Sequence, residues 1–369
     1  MLGFLLYLDT IAFIPYIFVF VVALYAFVLR RSQWLVVVRD NRNYLLVFAL
    51  FLFLCTINTI IHGLNGIPNM YMQLFTLIIA FSLNRDDAKF FILFTVIECF
   101  VGFYEYYIGV SSILGIVDDV LLEESDLLYY NRVFGLCTNS SVFSIKLLVS
   151  LILLHSIKPY NKKEILIIFV IVLFLGLFVT FNRTVIITCI FFYVLIWFSN
   201  IFRNNKSFKY KIPVILFSVV LILFVIGVIV SCFGDIIMFQ FSRDGDDSSS
   251  ILTGRTFIWA SFGKFISENI LFGNGSVHLL VPYTSGLIHA HNSFIQLLAD
   301  HGIILATIYC LNIFLRIKKD KWVVFLTFII ASLTQYVLFW GFSANDVFFF
   351  ALLFNPYFGL KITNGNVGV

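Results

Sequence analysis

The chain has 369 residues, of which 61% are hydrophobic, 18% aromatic and 12% charged, with 46 phenylalanines. A water-soluble chain would carry roughly a quarter charged residues, so this composition excludes an ordinary soluble protein and points to one multi-pass membrane domain. The net charge of +4 is sorted among short connections and not pooled in a patch, which excludes a basic nucleic-acid binder.

Apolar runs that read as spans are, in chain order, Ile11–Leu29, Tyr44–Ile61, Met70–Leu83, Phe90–Ile108, Val142–Leu154, Ile165–Phe181, Val185–Phe198, Ile212–Cys232, Phe294–Leu315, Trp322–Trp340 and Val347–Leu360. Several fall short of the roughly 20 residues that a perpendicular helix needs. The first lacks a positive start and a small-residue cleavage site, so it is expected to be retained as a span. The six cysteines are far apart and show no CxxC pair, and they read as small apolar residues. The expected fold is an all-α polytopic integral membrane protein, a single domain over 1–369 with about 11 (10–12) transmembrane helices.

Charge orients the spans. The connections 30–43, 84–89, 155–164, 199–211 and 316–321, with Lys361, hold 18 of the 24 Lys and Arg and are cytoplasmic by the positive-inside rule. The alternate connections hold only Arg132, Arg183, Arg243, Arg255 and Lys264, with Lys146 just inside a span. The amino-terminal end is therefore expected outside, and a smaller loop at 109–141 and a larger one at 233–293 face the outer side. The smaller carries Asp118, Asp119, Glu123, Glu124 and Asp126, the composition of a solvated loop. The larger opens on a flexible polar stretch, Ser242–Ser250. Its segment Thr256–Ser267 then places Ile258, Phe262, Phe265 and Ile266 on one face of a short amphipathic helix suited to a membrane surface. A two-glycine turn, Leu271-Phe-Gly-Asn-Gly-Ser276, follows.

Three groups in the outer connections can carry chemistry. Arg183, in Phe181-Asn-Arg-Thr184, lies between two apolar spans. An arginine there snorkels to headgroups, pairs with a carboxylate such as Glu98 or Glu105, or grips an anionic lipid headgroup with its planar fork. Arg255, in Thr253-Gly-Arg-Thr-Phe-Ile-Trp259, sits at a helix start whose dipole adds to its positive field. Four of the six histidines fall between 278 and 301, two of them in His289-Ala-His-Asn-Ser-Phe-Ile-Gln296. A neutral imidazole there is suited to general-base work on a sugar hydroxyl. The same run also reads as a helix entry capped by Asn292 or Ser293, or as a weak metal site with Asp300 or His301 that lacks any recognised ligand spacing. Nucleotide, hydrolase and haem motifs are absent from the sequence. Glu98, Glu105 and Lys146 either line the same cavity or pair structurally.

The stretches Gly254-Arg255 to Trp259, Leu271-Phe-Gly-Asn-Gly275 and His289-Ala-His-Asn-Ser-Phe-Ile-Gln-Leu-Leu-Ala-Asp-His-Gly302 together resemble the signature region of the O-antigen polymerase and O-antigen ligase superfamily. Phe181-Asn-Arg-Thr184 resembles that family's short arginine motif, and Arg132 to Asn139 its Arg…Gly…Asn segment ahead of a span. The resemblance implies an enzyme of the bacterial inner membrane with its site facing the periplasm. Such an enzyme transfers glycan from undecaprenyl diphosphate without a metal, nucleotide sugar or other cofactor, and a chain-length regulator is a possible partner. It further implies that Arg183 and Arg255 bind the diphosphate, that His291 is the base, and that Arg132, Asn139, His289, Asn292 and Trp259 contact substrate. His289 remains a rival for the base. A modest outer loop and a short, Phe-rich chain favour polymerase over ligase, and a lipid-linked glycan flippase is the alternative without a bond-making step.

Overall fold

A computed structural model describes residues 2–10, 16–63, 69–114, 132–203, 255–283 and 286–358. The expected span Ile212–Cys232, the acidic residues from Asp118 to Asp126, Arg243, the stretch Ser242–Ser250, Gly254 and Lys361 lie outside the described residues.

The described chain is mostly helical. Its helices are α1 (Leu2–Asp9), α2 (Tyr16–Leu29), α3 (Arg31–Asp40), α4 (Arg42–Ile61), α5 (Met72–Ser82), α6 (Arg85–Ile108), α7 (Ser140–Ile157), α8 (Lys163–Val179), α9 (Arg183–Arg203), α10 (Arg255–Glu268), α11 (Ser293–Phe314), α12 (Trp322–Thr334) and α13 (Ala344–Phe354). A helix thus lies at ten of the eleven expected spans. By length and composition, however, only α4, α6, α7, α9 and α11 are long and apolar enough to cross a membrane, or six if α2 and α3, bent by 93°, make one broken span. Sequence pattern also gave no hint of the antiparallel hairpin β1 (Val281–Tyr283) with β2 (Gly286–Ile288), which pairs Val281 with Ile288. Its three-residue strands are too short for alternation to register.

Local chemistry sets the ends of α6. The Asn84 side chain accepts the N–H of Asp86 and Asp87 at 3.0 and 3.1 Å while Asp87 accepts the Asn84 N–H, a capping box. Gly109, at φ 74°, closes the other end. Asp87 also pairs with Arg30, which donates to the Ser82 carbonyl as well. Asn355 Nδ2 donates to the carbonyls of Ala80, Phe81 and Leu83, and Arg85 to that of Lys158. The basic connections 30–43, 84–89 and 155–164 therefore gather at one end of the bundle, as loops on one side of a membrane must.

The chain's first helix departs from expectation. Instead of lying at the opposite end, α1 begins at this basic end, with the Gly3 N–H 3.4 Å from Asp87 Oδ1. It packs along α6 through Phe4 on Phe94 and Tyr7 on Phe91, and Asp9 accepts the Ala344 N–H at 2.9 Å. The cause is composition: seven of the eight residues are Leu, Phe, Tyr or Gly, and burial against α6 removes apolar surface from water.

Inside the bundle, Lys146 and Glu98 are both fully buried and paired at 2.5 Å. Glu98 also accepts the Leu136 N–H, and Glu105 accepts those of Ile113, Phe134 and Gly135. These charges are fold devices, since they satisfy the non-helical backbone that leads into α7.

Two breaks shape the opposite end. At Gly302, with φ 72° and ψ 171°, the ladder of α11 is interrupted. The carbonyls of Ala299 and Asp300 accept the N–H of Asn274 and Ser276, each at 2.8 Å. Residues 269–276 thereby plug into the break, and the fit requires glycine. A Cβ on Gly302 would lie 2.2 Å from the Leu271 carbonyl oxygen, and one on Gly273 would lie 2.5 Å from the Gly302 nitrogen. The second break is the non-helical segment 335–343 between α12 and α13. Ser293 Oγ accepts the N–H of Val337 and Leu338, Asp346 accepts those of Phe339 and Trp340, and Thr76 donates to the Gly341 carbonyl. The expected span Trp322–Trp340 accordingly stops at Thr334.

Gly302→Ala is expected to cost more than about 3 kcal/mol, because a glycine-only conformation and a backbone clash act together. Gly263→Ala, on an open face of α10, should be neutral or stabilising by up to about 1 kcal/mol. Thermal unfolding of the detergent-purified variants measures the difference.

Candidate functional site

The helix α10 buries Ile258 and Phe262 and packs Phe265 and Ile266 into a small core with Val281, Ala290 and Ala299. The expected amphipathic face is therefore real, and its partner is the hairpin and the start of α11. Trp259, half-buried on the flank of this core, donates its indole N–H to the Ala290 carbonyl at 2.7 Å. The Ala290 N–H in turn donates to Gln296 Oε1 at 2.9 Å. With both backbone groups of Ala290 fixed, the histidines on either side of it are fixed as well.

His289 and His291 lie ring to ring, with centroids 4.3 Å apart. The His291 N–H donates to His289 Nδ1 at 3.1 Å. His289 therefore uses Nδ1 as an acceptor and carries its proton on Nε2. His291 has φ 50°, a left-handed conformation that a histidine rarely adopts. Burial pushes the His291 imidazole down to about 4, and the Arg255 guanidinium adds to the shift. Burial, then His291 and His278, hold His289 well below the ordinary histidine range. Both rings are neutral at pH 7, so His291 keeps a ring lone pair that can accept a proton, whereas that of His289 already accepts the His291 N–H.

One short segment, Leu333–Leu338, gathers the remaining pieces. Arg255 Nη1 donates to the Thr334 carbonyl at 2.8 Å, and Asn292 Nδ2 to the Leu333 carbonyl at 2.7 Å. Asn292 Oδ1 caps α11 by accepting the N–H of Phe294 and Ile295, so the helix-entry reading of that residue holds and both ends of its amide are engaged. Gln335 Nε2 reaches Thr184 Oγ1 at 3.3 Å, immediately after the half-buried Arg183 at the start of α9. Thr184 donates to Asn182 Oδ1, and Asn182 Nδ2 to Ser144 Oγ at 2.8 Å on α7. Asn139 caps that helix through the Val142 N–H, and Arg132, half-buried, opens the segment held by Glu105.

Arg255, Trp259, His289, His291 and Asn292 are thus brought together directly. The polar contacts from Gln335 to Ser144 tie the start of α9, where Arg183 lies, and α7, which Asn139 caps, to the same scaffold without including either side chain, and Arg132 lies in the segment ahead of α7.

Asp300 and His301, weighed from the sequence only as metal ligands, take other places. Asp300 accepts from His278 Nδ1, Gln296 Nε2 and the Leu279 N–H, which fixes the strand leading to the histidines. The only signal for it is the i, i+4 spacing of Gln296 and Asp300. His301 turns away, its ring against Phe51 and its Nδ1 3.7 Å from Cys55 Sγ. Among the described residues no group of three or more His, Cys, Asp or Glu could hold a metal ion.

Residues 168–310 match the family described as O-antigen ligase. The match supports the O-antigen polymerase and ligase superfamily. It spans Arg183, Arg255, Trp259, His289, His291 and Asn292 but not Arg132 or Asn139, and the family's members are glycosyltransferase-like enzymes. Several long apolar helices agree with a multi-pass membrane protein. No curated protein matches the chain.

His291 is expected to stay reactive toward diethyl pyrocarbonate, which attacks the neutral ring, until the pH falls to about 4, whereas an ordinary histidine loses half its reactivity near 6.5. Because the folded value is depressed, stability is full above about 6.5 and declines as the pH falls toward 4, where the unfolded chain binds the proton first. Arg255→Gln should move the midpoint upward. Mass spectrometry of the peptide containing His291 reads both.

Proposed function

We propose that this protein is a periplasm-facing polymerase of an O-antigen or related surface polysaccharide, joining undecaprenyl-diphosphate-linked repeat units by inverting glycosyl transfer without a metal. The observation that carries the reading is the placement of a neutral imidazole, His291, within the electrostatic reach of Arg255, on a scaffold that also anchors the start of α9 beside Arg183.

Breaking the anomeric C–O bond leaves negative charge on the departing diphosphate. Guanidiniums at Arg183 and Arg255 stabilise that charge more in the transition state than in the ground state, and a poorly hydrated site strengthens the effect. His291 takes the proton of the acceptor hydroxyl, which attacks the anomeric carbon from the face opposite the diphosphate, so the configuration inverts. Trp259 and Asn292 hold the loop of His291, while Arg132, Asn139 and His289 complete the substrate surface. The bilayer holds the prenyl tail, the loops 109–141 and 233–293 face the periplasm of a bacterial inner membrane, and a chain-length regulator is the partner this chemistry accommodates. The ligase reading, in which the acceptor is the lipid A-core, is favoured by the description of the matching family.

His291→Ala, Arg183→Ala and Arg255→Ala should each insert normally and reduce long-chain glycan by roughly a hundredfold or more, read as loss of the ladder on a gel. Normal ladders from all three would remove the catalytic assignment. A deletion strain separates the two enzymes: loss of a polymerase leaves single repeat units on the core, and loss of a ligase strands glycan on its prenyl carrier. Purified protein should lengthen lipid-linked repeat units in EDTA, and transport without lengthening would make it a flippase.

A further inference from the structure

Segment 335–343 is non-helical, with bends and positive φ at Phe339 and Gly341, and such backbone persists within a membrane protein where it is buried in protein or lines a polar cavity. Its residues Val337, Leu338 and Phe339 are buried, with exposures of 1%, 0% and 6%. Trp340, the next residue, is 38% exposed. Its backbone N–H is held by Asp346 and its indole N–H donates to the Tyr336 carbonyl at 2.7 Å, so the ring cannot swing. One face lies on Tyr336, with centroids 4.0 Å apart and planes at 24°. The His289 ring stands edge-on at 5.2 Å, and His291 is the next ring beyond it.

A fixed, partly uncovered indole beside a hydrogen-bonding cluster suits a molecule with one apolar face and polar edges. A pyranose has that form: its axial C–H groups present a weakly positive face to the negative π face of the indole, while its hydroxyls remain free at the rim. Membrane-interface tryptophans face lipid instead, but the neighbours of Trp340 are Tyr336, His278 and His289, two of them polar. We propose that Trp340 is the platform on which the acceptor sugar stacks, presenting its hydroxyl to His291. This rests on the glycosyl-transfer reading and extends it, because Arg255 approaches His291 from α10 and Trp340 approaches through His289. Acceptor hydroxyl and diphosphate then meet at opposite faces of the anomeric carbon, with His291 on the acceptor's side, as an in-line displacement needs.

The probe is the free repeat-unit oligosaccharide, which lacks a diphosphate and competes only for the acceptor side in the lengthening of lipid-linked repeat units by the full-length protein. Trp340→Ala and Trp340→Leu should weaken this inhibition roughly fivefold to tenfold with a smaller change in turnover at saturating substrate. Trp340→Phe, which also lacks the indole N–H but keeps an aromatic face, should stay close to wild type. Wild-type inhibition of the Trp340→Leu protein would overturn the platform, as would quenching of Trp340 emission by brominated lipid and not by aqueous iodide. The two readings fail differently: no lengthening of lipid-linked repeat units by the wild-type protein refutes the glycosyl-transfer assignment, whereas lengthening by the wild type with unaffected Trp340 variants refutes only the platform.

Discussion

Peptide groups inside an apolar bundle must find partners, and in this protein side chains supply them at several of the described places where a helix stops short. The end of α12 shows the consequence most clearly. Its final carbonyls have no partner within the helix, and Arg255 and Asn292 take those of Thr334 and Leu333. The amides that follow are taken by Ser293 and Asp346. Residues read from sequence as the chemical motif therefore also help to hold the non-helical segment in place. Scaffold and site are one hydrogen-bonded unit, so a substitution at Asn292 or Ser293 disturbs geometry before it disturbs chemistry.

The same device recurs away from the histidines. Glu98 and Glu105 accept four backbone amides between them, from Ile113 and from Phe134 to Leu136, and Lys146 supplies the counter-charge. The interlock of Gly273 with Gly302 is its backbone-only form, in which one turn satisfies carbonyls released by a break in another element. Removing one member of the buried ion pair would leave an uncompensated charge, a far larger penalty than the pair's own net contribution.

Much of this was legible in the residues. Apolar runs located the helices, and the sorting of Lys and Arg matches the gathering of Arg30, Arg85 and Lys158 at one end. The apolar stripe of α10 was visible as a helical period. What could not be read were the stops. Nothing in Trp322–Trp340 marks Thr334 as a terminus, because the apolar run continues and the interruption is imposed by Ser293 and Asp346 from elsewhere in the chain. The first eight residues are expected from sequence at the outer end, ahead of the span Ile11–Leu29, yet tertiary contact with Asp87, Phe91 and Phe94 places them beside α6. His301 looked equivalent to its neighbours until the break at Gly302 fixed which way it faces.

Arg255 and His291 oppose each other electrostatically. The guanidinium helps hold the imidazole near 4, where it is neutral but a weak base. A general base works best with a pKa near the ambient pH. On the proposed reading, the missing factor is the donor itself: a diphosphate seated on Arg255 brings negative charge to the very group that depresses His291, and the imidazole's proton affinity rises as the diphosphate binds. Base strength is thereby coupled to donor occupancy by Coulomb interaction alone, with no moving part. The coupling is reciprocal, since a proton arriving on His291 strengthens the hold on the leaving diphosphate at the moment its charge develops. An arginine placed to weaken the neighbouring histidine is thus consistent with catalysis, provided that its own charge is neutralised before the proton moves.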